Sequence, residues 1–199
     1  MRNKKPVVVC FALFLILISS SCVPVPYIHT DGPYRGKVVE LETEEPIEGA
    51  VVAARWFIVA YINYEKFCDV QETVTDKNGE FELPMGWCVS NIFAQLDNPS
   101  VVIFKPGYLG YPPLGYNQAE RQTYMPTFTG DEFKNEKQYN VIVIGKPKTV
   151  DERKLVLSDV ESFLYVDIRD QKIREEKAKY LLERTAIERK NLGLPARRQ

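Results

Sequence analysis

Few residues in this 199-residue chain have the types and spacing that catalysis needs. Its one histidine, His29, lies in a proline-rich stretch, and a lone histidine without spaced partners predicts a solvated side chain rather than a metal ligand. The sequence contains no Gly-x-Ser-x-Gly, His-Glu-x-x-His or glycine-rich phosphate-binding motif. Carboxylates are plentiful, but the spacing of none of them predicts that two lie together in the fold. We therefore expect no enzyme activity, no metal and no cofactor, with a carboxylate-only hydrolase as the alternative.

The string Asp76-Lys77-Asn78-Gly79 has residue types that suit either a metal site or a turn. It matches the start of an EF-hand calcium loop, but the other spaced ligands and the closing glutamate of that loop are absent. Asn-Gly is also the favoured pair in tight β-hairpins, where both central residues take positive φ. The flanking residues alternate between polar and apolar, as strands do. We therefore predict a tight hairpin turn, with calcium binding as the alternative.

The N-terminus has the features of a signal peptide. Three basic residues precede an unbroken apolar run over 7–18, which is short for a membrane-spanning helix. Three serines and then Cys22 follow, and small residues directly before a cysteine resemble the bacterial lipobox. The resemblance implies that residues 1–22 are a lipoprotein signal peptide, and that lipid on Cys22 tethers the protein to a membrane. An ordinary secretory signal cut near Cys22 and an uncleaved anchor are the alternatives.

The residues around and beyond this cysteine indicate the compartment. In lipoproteins of Gram-negative bacteria an aspartate after the cysteine resembles an inner-membrane retention signal, so Val23 favours the outer membrane. Cys10 leaves with the signal peptide, and Cys68 and Cys88 then remain in an oxidising envelope, which predicts one disulfide. Two buried free thiols are the alternative. Removal of the signal peptide takes away three of the 26 basic residues, and the 27 acidic residues then outnumber the basic ones. We therefore expect no nucleic-acid partner.

The middle of the chain predicts β-strands separated by turns. Residues 23–33 contain three prolines and no amphipathic period, which predicts an extended tether. The apolar run over 34–41 is followed by a polar turn that ends at Pro46, and we expect 47–64 to return as its hairpin partner. This second run is long for one strand and rich in β-branched and aromatic residues. We therefore expect a bend or bulge near Ala53–Arg55, or a wide loop that carries the aromatic part.

Four segments of this region occur in an order and at an approximate spacing that match a known domain family. They are Gly36-Lys37-Val38, Pro46-Ile47-Glu48-Gly49-Ala50-Val51-Val52, Thr75-Asp76-Lys77-Asn78-Gly79-Glu80-Phe81 and Lys105-Pro106-Gly107-Tyr108. Together they resemble the carboxypeptidase regulatory-like domain, over roughly 34–108. The resemblance implies a transthyretin-like (prealbumin-like) antiparallel β-sandwich of about seven strands. It also implies that the sandwich is a stabilising or interaction domain without catalytic activity. We expect the sandwich to span residues 34–147, with an unusually long insert between Val52 and Thr75.

Aromatic side chains are concentrated in that insert and in a loop over 107–130, whose glycines and prolines forbid regular structure. Four of them are candidates for ligand binding: Trp56, Tyr61, Tyr111 and Tyr116. Rings that share an exposed face can stack on a sugar ring or on a protein partner. Rings of this kind are also commonly buried for their hydrophobic area, and we favour that alternative for the loop.

The C-terminal residues, 148–199, predict a helical extension. Thr149 and Ser158 each begin a capping box, so a helix should begin at one of them and run to about Asn191, before Gly193 ends it. Apolar side chains at helical spacing in its first half predict docking on the sandwich. Beyond residue 170 the apolar repeat is too sparse for a coiled coil, and we favour packing on the domain over projection toward a partner.

Together these features predict a mainly β lipoprotein of the cell envelope with a long C-terminal α-helix, anchored to the membrane by lipid at Cys22. Its non-catalytic sandwich is expected to act as a scaffold or protein-interaction module, with an envelope protein as partner. The alternative is a lipoprotein that binds glycan or peptidoglycan through its aromatic side chains. The exposure of those rings distinguishes the two, because stacking on a ligand requires a ring face open to solvent.

Overall fold

The computed structural model describes residues 26–60, 64–112, 139–167 and 171–197, and within these ranges the chain forms nine strands and three α-helices. The strands are β1 (Tyr27–Asp31), β2 (Tyr34–Glu40), β3 (Val51–Ala60), β4 (Tyr64–Val74), β5 (Glu80–Leu83), β6 (Gly86–Ser90), β7 (Gln95–Leu96), β8 (Ser100–Phe104) and β9 (Tyr139–Ile144). The helices are α1 (Val150–Ser162), α2 (Gln171–Lys177) and α3 (Lys179–Asn191), with a π-helical turn (Phe163–Asp167) after α1. The predicted mainly β fold with a C-terminal helical region is confirmed.

Two sheets and a ribbon make up the β part of the fold. In the first sheet β2 lies between β5 and β9. In the second, β3 pairs with β4 on one side and with β7 and β8 on the other. β2 runs antiparallel to β5 but parallel to β9, so the first sheet is mixed, and the prediction of an antiparallel sandwich is wrong there. β1 and β6 form a separate antiparallel ribbon.

β3 accounts for the long apolar run in the sequence. Val52 and Ala54 are buried in a core that they share with Val38 of the first sheet. Val51 and Ala53, which alternate with them, are buried in a second core that includes residues of the helices. Since both faces of β3 are covered, the strand has no need of alternating polar residues. The register against β4 shifts just after Trp56, close to the bulge predicted near Ala53–Arg55.

The predicted hairpin between 34–41 and 47–64 is wrong. β2 and β3 belong to different sheets, and an isolated bridge joins Val39 to Pro46 between them. The chain then crosses to the second sheet through Gly49, whose φ of +76° suits a glycine. The physical reason is the burial of β3, because a strand that is apolar on both faces is stable only between two covering layers.

The turn predicted at 76–79 is present with a different geometry. The Gly79 N–H donates to the Asp76 carbonyl at 2.9 Å, and the Asp76 carboxylate accepts from the N–H groups of Asn78 and Glu80, each at 2.9 Å. Gly79 has a φ of +75° whereas Asn78 does not have a positive φ, so the predicted pair of positive φ angles is wrong. The turn joins β4 to β5, which lie in different sheets. It is therefore a sheet-crossing turn and not a hairpin turn.

Part of the predicted tether belongs to the folded domain. Residues 27–31 form β1, which pairs with β6 along its whole length. Asp31 fixes this ribbon to the core, because its carboxylate accepts from the Trp56 indole N–H at 2.8 Å and from the Tyr34 hydroxyl at 2.6 Å. Both aromatic donors are thereby satisfied although their rings are buried. The fold begins before Tyr34, its predicted start.

The predicted single C-terminal helix is wrong in its continuity. The Thr149 capping box begins α1, with reciprocal bonds to Glu152, but α1 ends at Ser162 and two further helices follow. α3 folds back on α1, so that Arg153 and Glu188, 35 residues apart, form bonds of 2.8 and 2.9 Å. One straight helix would hold these residues about 52 Å apart at about 1.5 Å per residue.

The distal half of this region packs on the domain, as the sequence predicted. Ala178 and Leu181 are fully buried in the core that also contains Val51 and Val70 of the second sheet. The helices therefore form a third layer over β3 and β4. Among the described helices, none combines the length and the apolar composition needed to cross a bilayer.

Candidate functional site

A groove lies where β4, β6 and α2 meet, and we call it the Trp87 groove. Its volume is about 460 Å³, within the usual range of small-ligand sites. Its lining includes Asp69 from β4, Trp87, Val89 and Ser90 from β6, Asn91 from the turn after β6, and Lys177 from α2. The groove is therefore bounded by the second sheet, the β1–β6 ribbon and the helical layer.

Alternation along β6 produces the aromatic wall of the groove. Cys88 points inward and is buried, so its neighbours Trp87 and Val89 point outward, and each leaves 53% of its surface exposed. Cys88 is bonded to Cys68 of β4, which confirms the predicted disulfide. Because the covalent link holds β6 against β4, the backbone that carries Trp87 is restrained on one side of the groove.

Asp69 joins three elements beneath the groove. Its buried carboxylate accepts from the Trp87 backbone N–H at 3.1 Å, from the Gln71 side-chain amide at 2.9 Å and from the Lys177 ammonium at 2.5 Å. The register of β4 against β3 slips at Cys68, and such a bulge re-aims the neighbouring side chains. With its oxygens engaged by these donors, Asp69 positions β6 and α2, and it is not placed to act as a general base.

The upper part of the groove adds polar groups to the aromatic wall. The Lys177 ammonium lies 5.8 Å from the Trp87 ring centroid, at the distance of a cation–π contact. The Ser90 hydroxyl lies 2.8 Å from His29 Nε2 in the neighbouring strand, and Asn91 follows directly. His29 is half-buried in β1, so the prediction that it is a solvated side chain of a tether is wrong. Stacking, charge and hydrogen bonding are therefore all available to a bound molecule.

The predicted ligand-binding aromatic residues do not form one surface. Trp56 and Tyr111 are buried in the core, so neither ring presents a face to solvent, and the prediction that they bind a ligand is wrong. Burial is favoured because Trp56 lies in β3, between the layers, and the backbone of Tyr111 pairs with Ile103 of β8. Tyr61 and Tyr116 lie outside the described residues.

Sequence reasoning missed Trp87, the exposed member of the two tryptophans. A signal was present, because Trp87 directly precedes a cysteine, which is one of the residue types most often buried, and period-2 alternation then turns the tryptophan outward. The predicted lipid site, Cys22, lies outside the described residues. Within the described ranges, no group of three or more histidine, cysteine or acidic residues is arranged to hold a metal.

Glu72 of β4 sets the position of the helices beside the groove. Its carboxylate accepts from the backbone N–H groups of Tyr180 and Leu181, at 2.6 and 3.0 Å, at the start of α3. The residue at the N-cap, Ala178, has no side-chain acceptor of its own, so Glu72 satisfies N–H groups that would otherwise lack a partner. Burial nevertheless raises the pKa of Glu72 above its usual 4.5, because the removal of water outweighs these bonds and the charge of Lys179.

The raised pKa of Glu72 predicts a pH dependence of stability. The folded protein binds this proton more tightly than the unfolded chain does, so the free energy of unfolding should fall as pH rises from below 4.5 through the raised pKa. Glu72→Gln should remove this fall. Urea unfolding across a pH series measures it, with the exposed Glu183→Gln as control. An unchanged slope in Glu72→Gln would contradict the assignment.

No family model, no curated protein and no solved structure matches this chain.

Proposed function

We propose that this protein is a lipid-anchored, non-catalytic interaction protein of the cell envelope, and that the Trp87 groove binds another protein. The half-exposed Trp87 ring on a restrained backbone carries the proposal. Tryptophan is among the residues most enriched in binding hot spots, where a large ring is buried against the partner at little cost in conformational entropy. Val89 extends the apolar surface and is equally exposed.

The groups around Trp87 favour binding over catalysis. Asp69 is buried beneath its donors, and its ion pair with Lys177 joins α2 to β4. A buried pair of this kind specifies position more than it adds stability. The disulfide occupies the two cysteines that could otherwise act as nucleophiles. The groove therefore combines a hydrogen-bonded base at Asp69 with an exposed apolar ring at Trp87, and this combination suits the binding of a partner molecule.

The anchoring part of the proposal is supported by sequence and by redox chemistry. Cys22 follows small residues as in a lipobox, and Val23 after it favours the outer membrane. The Cys68–Cys88 disulfide is typical of proteins that work outside the reducing cytosol. Lipid at Cys22 then makes the membrane itself the first partner of the protein.

We also propose that the two sheets form a transthyretin-like sandwich of the carboxypeptidase regulatory-like type. Two of the segments that carry this resemblance form turns that shape the fold. Residues 76–79 cross between the sheets, and 105–108 form a turn in which the Tyr108 N–H donates to the Lys105 carbonyl at 3.0 Å and Gly107 has a φ of +83°. In both turns the glycine adopts a positive φ that other residues rarely adopt. This agrees with a structural and not a catalytic role for these motifs.

A glycan is the second candidate ligand, and the polar side of the groove favours it. The Trp87 ring can stack on a sugar face, while Ser90, Asn91 and Lys177 can hydrogen-bond to hydroxyl groups. The two candidates predict different partners for the same surface, so one set of variants tests both.

The test places a photo-crosslinking amino acid at Val89 in cells of the source organism. We expect a discrete protein adduct that is lost when Trp87→Ala is added, because the ring supplies the main apolar contact. Val141, 58% exposed on β9 of the first sheet, is the matched control position and should give no such adduct. If Trp87→Ala instead abolishes co-sedimentation with isolated peptidoglycan or polysaccharide, the glycan function is correct. If the protein gives no adduct and also does not co-sediment with either glycan, both candidate functions are contradicted.

A further inference from the structure

One end of the β1–β6 ribbon combines the start of the described fold with an exposed apolar turn. Tyr27, at the start of β1, pairs with Ser90, at the end of β6. Directly beyond Ser90 the chain turns through Ile92 and Phe93, and Ile28 lies beside Tyr27 in β1. We call Ile28, Ile92 and Phe93 the apolar tip. It lies at the end of the ribbon where the chain leads back toward Cys22.

The apolar tip contains the most exposed large hydrophobic side chains of the described residues. Phe93 is 66% exposed, Ile92 63% and Ile28 62%. Exposed apolar side chains that occur singly need no explanation, but a cluster of the three highest values at one end of a ribbon marks an interaction surface. Burial of apolar surface is favourable in proportion to the area removed from water, so the tip is costly to leave in water.

The turn that presents two of these side chains is held by its own hydrogen bonds. The Asn91 side-chain oxygen accepts from the Phe93 N–H at 2.9 Å, and the Asn91 carbonyl accepts from the Ala94 N–H at 3.2 Å. Ala94 is buried in the main core, which ties the far end of the turn to the domain. Ile92 and Phe93 are therefore held outward by a fixed turn and cannot both fold into the core.

Chain length determines what can cover the tip. Five residue steps separate Cys22 from Tyr27, and a fully extended chain spans at most about 3.6 Å per residue, or about 18 Å. The acyl chains of a lipidated Cys22 enter the membrane directly, so Tyr27 lies within that distance of the bilayer surface, and the tip begins at the next residue of β1 and just beyond Ser90, the strand partner of Tyr27. This step rests on the lipid anchor of the proposed function.

From this geometry we propose that the apolar tip inserts into the lipid bilayer surface beside the anchor. Ile28, Ile92 and Phe93 enter the boundary between head groups and acyl chains, about 5–10 Å deep, as interfacial apolar faces do. Tyr27 is half-exposed next to them and suits the head-group level, where amphipathic rings collect. The tip and the lipid then act as two linked membrane contacts, which hold the domain in one orientation at the membrane.

The experiment uses the full, processed protein purified from membranes and returned to vesicles that contain brominated phosphatidylcholine, a short-range quencher of tryptophan. In the Trp87→Phe background the remaining native tryptophan, Trp56, is fully buried. Phe93→Trp then reports on the tip, and Leu155→Trp, at an exposed residue of α1, is the matched control. We expect fractional quenching at least about twofold greater for Phe93→Trp than for Leu155→Trp, given insertion about 5–10 Å deep.

Three results would overturn the proposal in distinguishable ways. Equal, weak quenching of both variants in protein whose Cys22 carries acyl chains by mass spectrometry rejects the tip and leaves the anchor intact. A blue-shifted Phe93→Trp emission that brominated lipid does not quench means that another segment or a second copy covers the tip. An unmodified Cys22, with Cys22→Ser pelleting like the wild type after a carbonate wash, rejects the anchor and the tip with it.

Discussion

Arg153→Ala should lower the free energy of unfolding by about 3–5 kcal/mol, because it leaves a buried carboxylate without its cation. The Glu188 side chain is 2% exposed and accepts two bonds from the Arg153 guanidinium, at 2.8 and 2.9 Å. The Asn191 amide, at 3.5 Å from the carboxylate, is too distant to replace the guanidinium. Urea unfolding at pH 7 followed by circular dichroism measures the change.

The partner substitution separates the buried charge from the contact itself. Glu188→Ala should lower the free energy of unfolding by less, about 1–3 kcal/mol, because the Arg153 side chain is 27% exposed and its guanidinium can turn to water. Arg35→Ala is the matched control, since its pair with Glu82 joins two side chains that are both more than half exposed. We expect that control to change stability by less than about 1 kcal/mol.

Equal losses for Arg153→Ala and Glu188→Ala would contradict this interpretation, as would a loss from Arg153→Ala no greater than that from Arg35→Ala. A loss from Arg153→Ala no greater than the control would mean that α3 does not cover α1 in solution, whereas equal large losses would mean that Arg153 is as costly to leave unpaired as Glu188. The outcome therefore tests the fold-back of the helical region as well as one ion pair. It also bears on the Trp87 groove, because α2, which supplies Lys177, lies between α1 and α3 in the chain.

Trp56→Ala should destabilise the protein by about 3–5 kcal/mol, through the lost apolar contacts and the cavity left behind. The ring is fully buried, and it packs so closely on Gly86 that a Cβ added there would lie 2.3 Å from the ring. Its indole N–H also donates to Asp31, so the truncation leaves that carboxylate with the Tyr34 hydroxyl. We expect this to be one of the two largest single-residue effects in the chain.

Two companion variants keep the test informative if Trp56→Ala does not fold. Trp56→Phe retains most of the ring but loses the bond to Asp31, and should cost about 1–3 kcal/mol. Trp87→Ala removes the other tryptophan, which is half-exposed, and should change stability by less than about 1 kcal/mol while it removes partner binding. Similar stability losses at the two positions, measured by circular dichroism in urea, would contradict the assignment of one tryptophan to the core and the other to the groove.

Local signals in the sequence predicted several elements correctly. The Thr149 capping box begins a helix because Thr149 and Glu152 satisfy N–H groups within a single turn. Asp76 and Gly79 form a turn through bonds between neighbours in the chain. The Cys68–Cys88 disulfide could be inferred because the other two cysteines had an assignment of their own. Each of these depends on residues close in sequence or on counting, so no tertiary information was needed.

Long-range pairing could not be predicted from these signals. The sequence suggested that β3 returns on β2, but β3 lies in the other sheet, because burial of both its faces outweighs the preference for a neighbouring strand. The bond of Lys177 to Asp69 and the cap of Glu72 on α3 each join residues about one hundred positions apart. Their residue types look like those of solvated surface charges, and burial alone distinguishes them.

From the sequence alone we could predict a mainly β fold with a helical end, the positions of one turn and one helix cap, and a disulfide that the structure then confirmed. The tertiary structure decided which of the two tryptophans is buried and which is exposed. Trp56 and Trp87 have the same side chain, yet one fills the space between layers and the other forms the wall of a groove. The physical reason is that periodicity specifies only alternate faces of a strand, and whether a face meets another layer or water depends on elements distant in the chain.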